Sequence, residues 1–564
     1  MKRYTPFYCF FLVLWLLLLV FPCVFWVKVV YTSSDYSEFF NFVKHQFENS
    51  FYSNHLEKFF LSESYFLVVK NSIWWVVTLI SVLLILALYS LGFFYKKKEE
   101  SRGESLRGRY KLTPVVLLLL SWLGYKLFLY SYLPLHIDEV FDFVYYTRHD
   151  FLTRHSYQFT NGIEWFNSHV LYTDISACFL KLGFSDKASI RLPSIIAEFL
   201  LLFTIFRIAK NDDKIKPIFV VLVVMFSFWQ SLYSVEGRSY LFASLFCVLS
   251  FRAIIDFEKN NTVSDLLLYV IVVVLGVASN KLFVLPFIGS VIYMLVRWNK
   301  WEPRQKTMLI MALVLVCVLI LLFYMPILLL SGVKNIIPFG GGQFGHSLFY
   351  KFPLLIESIS VITNINSKSY LVIPLVIGGC VVLRRQFSKQ TLEIQIYFTI
   401  QILVYGFYTL LSGDYLPFRT LIYLNTLFSI VLAFSMFDLL KRAKRGAIIG
   451  LALSIFFIWG NLVYNFKYGW VNKLSMFITG NEFYSSLDKQ VDEIGELNPD
   501  KILIHHNLHF LLFYSQLKFP NQTSAYEETP SLGENNVIIS PVKLDLDTIF
   551  LMYNSQDIFI YFNH

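Results

Sequence analysis

The chain has 564 residues, of which 56% are hydrophobic, 18% aromatic and only 15% charged, with a formal net charge of +9. So little polar surface cannot cover a soluble globule of this length, and the basic residues stand in short clusters between apolar runs rather than on one nucleic-acid-binding face. Six scattered cysteines without a CxxC pair offer neither a disulfide framework nor a zinc site.

From the N-terminus onward, apolar runs of about 20 residues, the length a helix needs to cross ~30 Å of hydrocarbon, predict a polytopic α-helical membrane protein. Spans are expected near 7–28, 69–94, 112–133, 190–208, 216–234, 239–256, 265–280, 282–297, 307–330, 368–383, 393–411, 420–439 and 446–465, about thirteen in all. The first run follows Lys2 and Arg3, but it is longer than a signal-peptide core and lacks a small-residue cleavage site, so it reads as a retained helix. Loops 96–111, 207–216, 297–306, 384–389 and 441–445 are basic and fall on one side, which the positive-inside rule makes cytoplasmic.

The opposite loops then face out, among them 29–68, 134–189 and 331–367. Loop 134–189 mixes aromatic and polar residues and reads as partly helical, able to lie in the membrane interface. The tail changes character: KILI, NVIIS and DIFIYF are strand-like runs separated by polar turns, which predicts a small extracytoplasmic α/β domain. Three parts are therefore expected: residues 1–110, a two-helix membrane extension with a basic cytoplasmic linker; 111–465, a membrane core that includes loop 134–189; and 466–564, the outer domain.

The stretch LPLHIDEVFDFVYY (133–146) sets Asp138 and Glu139 directly behind an apolar run, between His136 and Asp142. An acid pair past a helix end can be a solvated loop. So close to the membrane surface an idle carboxylate is costly, however, and one held there can serve as a general base on a hydroxyl. Arg191, Arg238 and Arg419 each stand at the outer end of a predicted helix, with Lys281 at the same level. Snorkelling accounts for any one of them; together they suit a phosphate group at the headgroup plane.

Three other stretches carry weaker signals. Glu198 lies seven residues after Arg191 on the same helix face, inside the membrane, either as a functional acid or as one partner of a pair within the bundle. HHNLH (505–509) lacks partner ligands for a metal, and GGGQFG (340–345) reads as a mobile outer loop. There is no Walker sequence and no GxGxxG.

Five pieces in order, Asp138-Glu139, FNSHVLYT (166–173), FSDKASIRLPS (184–194), SVEGRSY (234–240) and DYLPFRTLIYL (414–424), resemble the membrane glycosyltransferases of the GT-C superfamily. The likeness runs from about residue 112 to 440 and is nearest to the bacterial dolichyl-phosphate-mannose-protein mannosyltransferase and aminoarabinose-transferase type. It implies a GT-C-like core in the bacterial cytoplasmic membrane. Its reaction would be inverting transfer of a sugar from a polyprenyl-phosphate donor to a hydroxyl of a lipid, glycan or protein on the extracytoplasmic side.

By the same resemblance Asp138 takes the catalytic acidic position with Glu139 its neighbour, and Asn167 and His169 position sugar or acceptor. Arg191, Glu236, Arg238, Tyr240 and Arg419 match positions near the lipid phosphate, where Lys281 would join them. Gly237 stands where the family usually has alanine, an exchange expected to be harmless, and Val235 where glutamine is common. No cofactor is required. A divalent ion on Asp138 and Glu139 is the less favoured alternative, since no further acid cluster is evident. Two rival readings remain: a lipid-diphosphate oligosaccharide ligase or polymerase, expected to carry a larger outer loop late in the chain, and a lipid-linked sugar flippase, expected to show paired broken helices in two inverted halves.

Overall fold

The computed structural model describes residues 20–46, 63–96, 113–132, 135–156, 169–210, 216–225, 227–331, 362, 387–412, 418–442, 489, 491–496, 499–505, 508–519, 521–526, 536–540, 550–555 and 558–563. The expected spans 368–383 and 446–465, the first part of span 7–28, the loop GGGQFG and Asn167 lie outside the described residues.

The membrane part is a helical bundle. Helices α1 (Val20–Thr32) and α2 (Tyr36–Gln46) precede α3 (Glu63–Lys96) and α4 (Thr113–Tyr132). After α4 come the short α5 (Ile137–Asp142), a π-turn at Phe143–Thr147, α6 (Phe151–Ser156) and α7 (Val170–Lys181). The chain then re-enters the bundle with α8 (Asp186–Ala209), α9 (Lys216–Met225), α10 (Phe228–Val235), α11 (Tyr240–Asn260), α12 (Val263–Ser279), α13 (Val284–Val296), α14 (Pro303–Ser331), α15 (Lys389–Ser412) and α16 (Ile422–Arg442). Five of these are long and apolar enough to cross a membrane, six with the bent α3, and shorter apolar helices fill in between them. The protein is a multi-pass membrane protein.

The expected span 216–234 holds two helices, α9 ending at Met225 and α10 starting at Phe228, with Ser227 outside both. No proline or glycine marks the break. Ser227 adopts extended backbone angles, φ −65° and ψ 122°, and its hydroxyl donates to Asn425 Oδ1 of α16 at 2.6 Å. This bond, between residues 198 positions apart, ties the start of α10 to α16.

At the centre runs α11, mostly buried, with its charged residues confined to its C-terminal half, and packed against α8, α12 and α16, while α14 joins α3 to α12. One end of the bundle is tied by buried ions. Lys216 donates to Asp438 at 3.0 Å, and Asp438 also accepts from Thr391 Oγ1 at 2.6 Å; Arg297 reaches Glu258 at 2.5 Å and pairs with Glu393. This end carries Arg207, Lys210 and Arg442, the basic loops of the sequence. The short helices α5 to α7 gather at the opposite end and pack on α8, α12 and α14.

Beyond the bundle stands a five-stranded mixed sheet of order β2-β1-β3-β5-β4, from β1 (Lys501–His505), β2 (Thr523–Tyr526), β3 (Asn536–Ser540), β4 (Phe550–Ser555) and β5 (Ile558–Asn563). Strand β1 is parallel to β2 and β3, whereas β5 is antiparallel to β3 and β4. NVIIS is buried throughout, which fits its central place in a sheet covered on both faces. Helix α17 (His509–Lys518) links β1 to β2 and packs against α5.

Candidate active site

His136 starts the acid helix. Its ring Nδ1 accepts from the Asp138 N–H at 3.2 Å, and the Glu139 carboxylate reaches back to the His136 N–H at 2.6 Å, closing a capping box. The cap fixes where α5 begins and so which way its acids face. Asp138 and Asp142, four residues apart, share one face and Glu139 turns to the other.

On that other face Glu139 is completely buried. Oε1 accepts from Arg191 Nε at 2.9 Å and from the Gly237 N–H at 2.5 Å, and Oε2 accepts from Arg191 Nη2 at 2.7 Å as well as from His136. The remaining nitrogen, Arg191 Nη1, donates to the Tyr130 carbonyl at 3.3 Å. Through this one fork–fork pair α5 is joined to α8, to the end of α4 and to the Glu236-Gly237-Arg238 turn. Burial by itself pushes the Glu139 carboxyl up, but the Arg191 guanidinium and the two backbone N–H donors outweigh it and hold the group below its ordinary value of 4.5.

The turn between α10 and α11 is tight because Arg238 N–H donates to the Glu236 carbonyl at 2.8 Å. It leaves no space for a side chain at its middle. A Cβ on Gly237 would stand 2.2 Å from Ile190 Cγ2, 2.7 Å from Tyr172 Oη and 2.9 Å from Glu139 Oε1. The expectation that alanine and glycine are interchangeable here is therefore corrected: the methyl would press on the pair that seats the acid helix.

Arg238 serves the opposite face. Nη2 meets Asp138 at 2.9 Å and Nη1 meets Asp142 at 2.7 Å, while its buried Nε has no hydrogen-bond partner among the described residues. Ser194 of α8 donates to the Arg238 carbonyl at 2.8 Å and fixes the turn from behind. Of the three acids, Asp138 is 28% exposed, Asp142 2% and Glu139 0%. Asp138 alone of the three offers an oxygen to an entering substrate.

His169 stands at the start of α7. Its Nδ1 lies 3.2 Å from the Ser279 carbonyl and closer still to the Ser239 hydroxyl, and the ring tautomer sets whether it donates to the carbonyl or accepts from the serine. The ring meets Tyr240 edge-on at 5.6 Å. Glu236 completes the rim, 3.9 Å from His136 Nδ1. Lys281 is two residues beyond Ser279, on the turn Lys281–Phe283, where Asn280 Oδ1 accepts the Leu282 N–H at 2.9 Å.

Of the residues singled out from sequence, Asp138, Glu139, His169, Arg191, Glu236, Arg238 and Tyr240 stand at the bundle end away from the basic loops, linked by direct contacts or through the 234–240 segment. Arg419 lies on the turn Phe418–Leu421, its side chain outside the described residues, as is Asn167. Glu198 is deep in the bundle, 3.4 Å from Lys126, which also donates to Ser234 at 2.8 Å. Asp142, Ser194, Tyr172 and Gly237 also build the site. Only Asp142, at helical spacing from Asp138, carried a signal in the sequence.

Two outcomes follow. Gly237→Ala is expected to destabilise the folded protein by ~1–3 kcal/mol through overpacking, read as a lower thermal midpoint in detergent; an unchanged midpoint would show that Ile190 gives way freely. A carboxyl held below its ordinary value stabilises the fold above that value and loses the contribution as pH falls through the depressed one. The midpoint of the wild type should therefore drop as pH falls below 4.5, and Glu139→Gln should lie lower at neutral pH but vary less over that window.

Among known proteins, no family model matches the chain and no curated protein sequence does. Solved structures do. ArnT from Cupriavidus metallidurans bound to undecaprenyl phosphate aligns with a TM-score of 0.53 at 11% identity, over 80% of this chain and 98% of that one. The apo structure of the same protein aligns with 0.49 at 11% identity over the same shares. At this identity the likeness establishes the fold alone: over the aligned residues the chain has the fold of the undecaprenyl-phosphate-bound ArnT structure.

Proposed function

We propose that the protein is an integral-membrane glycosyltransferase that moves a sugar from a polyprenyl-phosphate carrier to a hydroxyl acceptor. The observation that carries this is the Asp138–Arg238–Asp142 cluster beside the Glu139–Arg191 pair, in which Asp138 stays accessible while Asp142 and Glu139 are spent on structure. The ArnT structure that holds undecaprenyl phosphate supports the same class of carrier.

Such a donor already has a phosphate leaving group on its anomeric carbon, so the protein has to supply a base and cations. Asp138 takes the proton of the acceptor hydroxyl as its oxygen attacks the anomeric carbon from the face opposite the phosphate, and the configuration inverts. Arg238 holds Asp138 through Nη2 and Asp142 through Nη1, and its positive charge, with that of Lys281, stabilises the departing phosphate oxygen; by the resemblance Arg419 joins them. Glu139 and Arg191 are positioning residues in this scheme, His169 and Asn167 orient sugar or acceptor, and Glu236 and Tyr240 line the rim. The scheme uses a metal-free base: a divalent ion on Asp138 and Glu139 would have to displace the N–H donors on both Glu139 oxygens. In this reading the basic bundle end faces the cytoplasm, as the positive-inside rule favours, and the site faces out in a bacterial cytoplasmic membrane, with the donor's lipid in the bilayer.

The test is transfer of labelled sugar from a panel of polyprenyl-phosphate donors in membranes carrying the wild type or Asp138→Asn at matched expression. The expected result is transfer by the wild type with a loss of ~100-fold or more in the variant, as for removal of a positioned general base. Full activity of Asp138→Asn would place the base elsewhere.

A further inference from the structure

The C-terminal sheet unit reaches into the active site through one helix. Tyr514 of α17 donates its hydroxyl to the Leu135 carbonyl, immediately before the cap of α5. Beyond the other end of α5, Tyr145 of the π-turn donates to Gln516 Oε1 at 2.5 Å. Arg148, which follows that turn, donates to the Gln516 carbonyl at 3.0 Å and to the Leu517 carbonyl at 2.6 Å. These are among the last carbonyls of α17, groups that a helix leaves without an internal partner, and a cation is favoured at the negative end of its dipole. The same guanidinium reaches Asp186 at 3.3 Å, in the first turn of α8, and stacks on Phe143 with its carbon 5.0 Å from the ring centre.

We propose that α17 is a clamp that sets the position of the acid helix, with Arg148, Tyr145 and Tyr514 as positioning residues for Asp138. Helix α5 has six residues, too few to stand as a helix by its own hydrogen bonds. The Glu139–Arg191 pair anchors its buried face to the bundle, and α17 grips the chain on either side of it. Arg148 also ties the clamp to α8, the helix that carries Arg191, so the two anchors share one frame. The sheet unit thereby becomes part of the catalytic apparatus. A displacement of about 1 Å in a catalytic group is enough to cost up to ~100-fold in rate, so a clamp at this place acts on turnover rather than on donor affinity.

The clamp rests on the transferase reading for its kinetic consequence, so the experiment pairs kinetics with an activity-independent readout. Full-length Arg148→Gln, Tyr514→Phe, the double variant and Arg148→Lys are compared with wild type by donor kinetics and by amide hydrogen exchange over residues 137–147. In the double variant, exchange across 137–147 should rise ~10-fold or more with that of α11 and α16 unchanged, and kcat should fall ~10–100-fold with KM for the donor moving less than ~3-fold. Arg148→Lys, which keeps the charge but not the fork, should fall between wild type and Arg148→Gln. Wild-type exchange in the double variant, or faster exchange with an undiminished kcat, overturns the proposal, as does loss of kcat without faster exchange. If the wild type itself transfers no sugar, the transferase reading fails and exchange over 137–147 alone decides whether α17 holds the acid helix.

Discussion

A buried carboxylate and a buried guanidinium, Glu139 and Arg191, meet in a two-pronged bond, and the rest of the site is arranged around it. Taking either charge out of water alone would cost several kcal/mol, and the cost is offset here because both Glu139 oxygens and all three Arg191 nitrogens find partners. Those partners belong to α4, α5, α8 and the turn before α11, so one ionic contact fixes the relative placement of four elements. Nothing comparable could be made by apolar packing, because the short helix α5 offers only a few side chains to bury.

A division of labour among the acids follows from this constraint. The four hydrogen bonds on Glu139 leave it no lone pair for a substrate, whereas Asp138 projects from the adjacent position and faces the other way. Arg238 then gathers Asp138 and Asp142 on one guanidinium and leaves Asp138 partly open. Two neighbouring residues of the same chemistry thus differ in role because a helix turns by about 100° per residue, sending one to the interior and the other to the rim.

Much of the fold could be read from the residues, because membrane spans and strands write their periods locally. The apolar runs predict α8, α11 and α16 to within a few residues, and KILI, NVIIS and DIFIYF are β1, β3 and β5. The division of 216–234 into α9 and α10 could not be read, since no proline or glycine separates them and the Ser227–Asn425 bond at the start of α10 joins residues far apart in the chain. Helix α17 was hidden beside a histidine run that drew attention to metal chemistry. Among site residues, the acids and arginines stand out in the sequence because charge is rare there, but which charge meets which is a tertiary fact. Arg191, expected near the lipid phosphate, spends its nitrogens on Glu139 and Tyr130, and the need for glycine at 237 arises from three side chains that only the fold brings together.

The most direct measurement of this account is a double-mutant cycle on Glu139 and Arg191, with Met at either or both positions and unfolding free energy read in mixed micelles. Each single variant leaves a buried charge without its partner and should cost ~3–5 kcal/mol, while the double variant removes both charges and should cost well below the sum, a coupling of about 2 kcal/mol or more. Additive costs, within ~0.5 kcal/mol, would show that the two residues do not depend on each other and that the acid helix is held by something else.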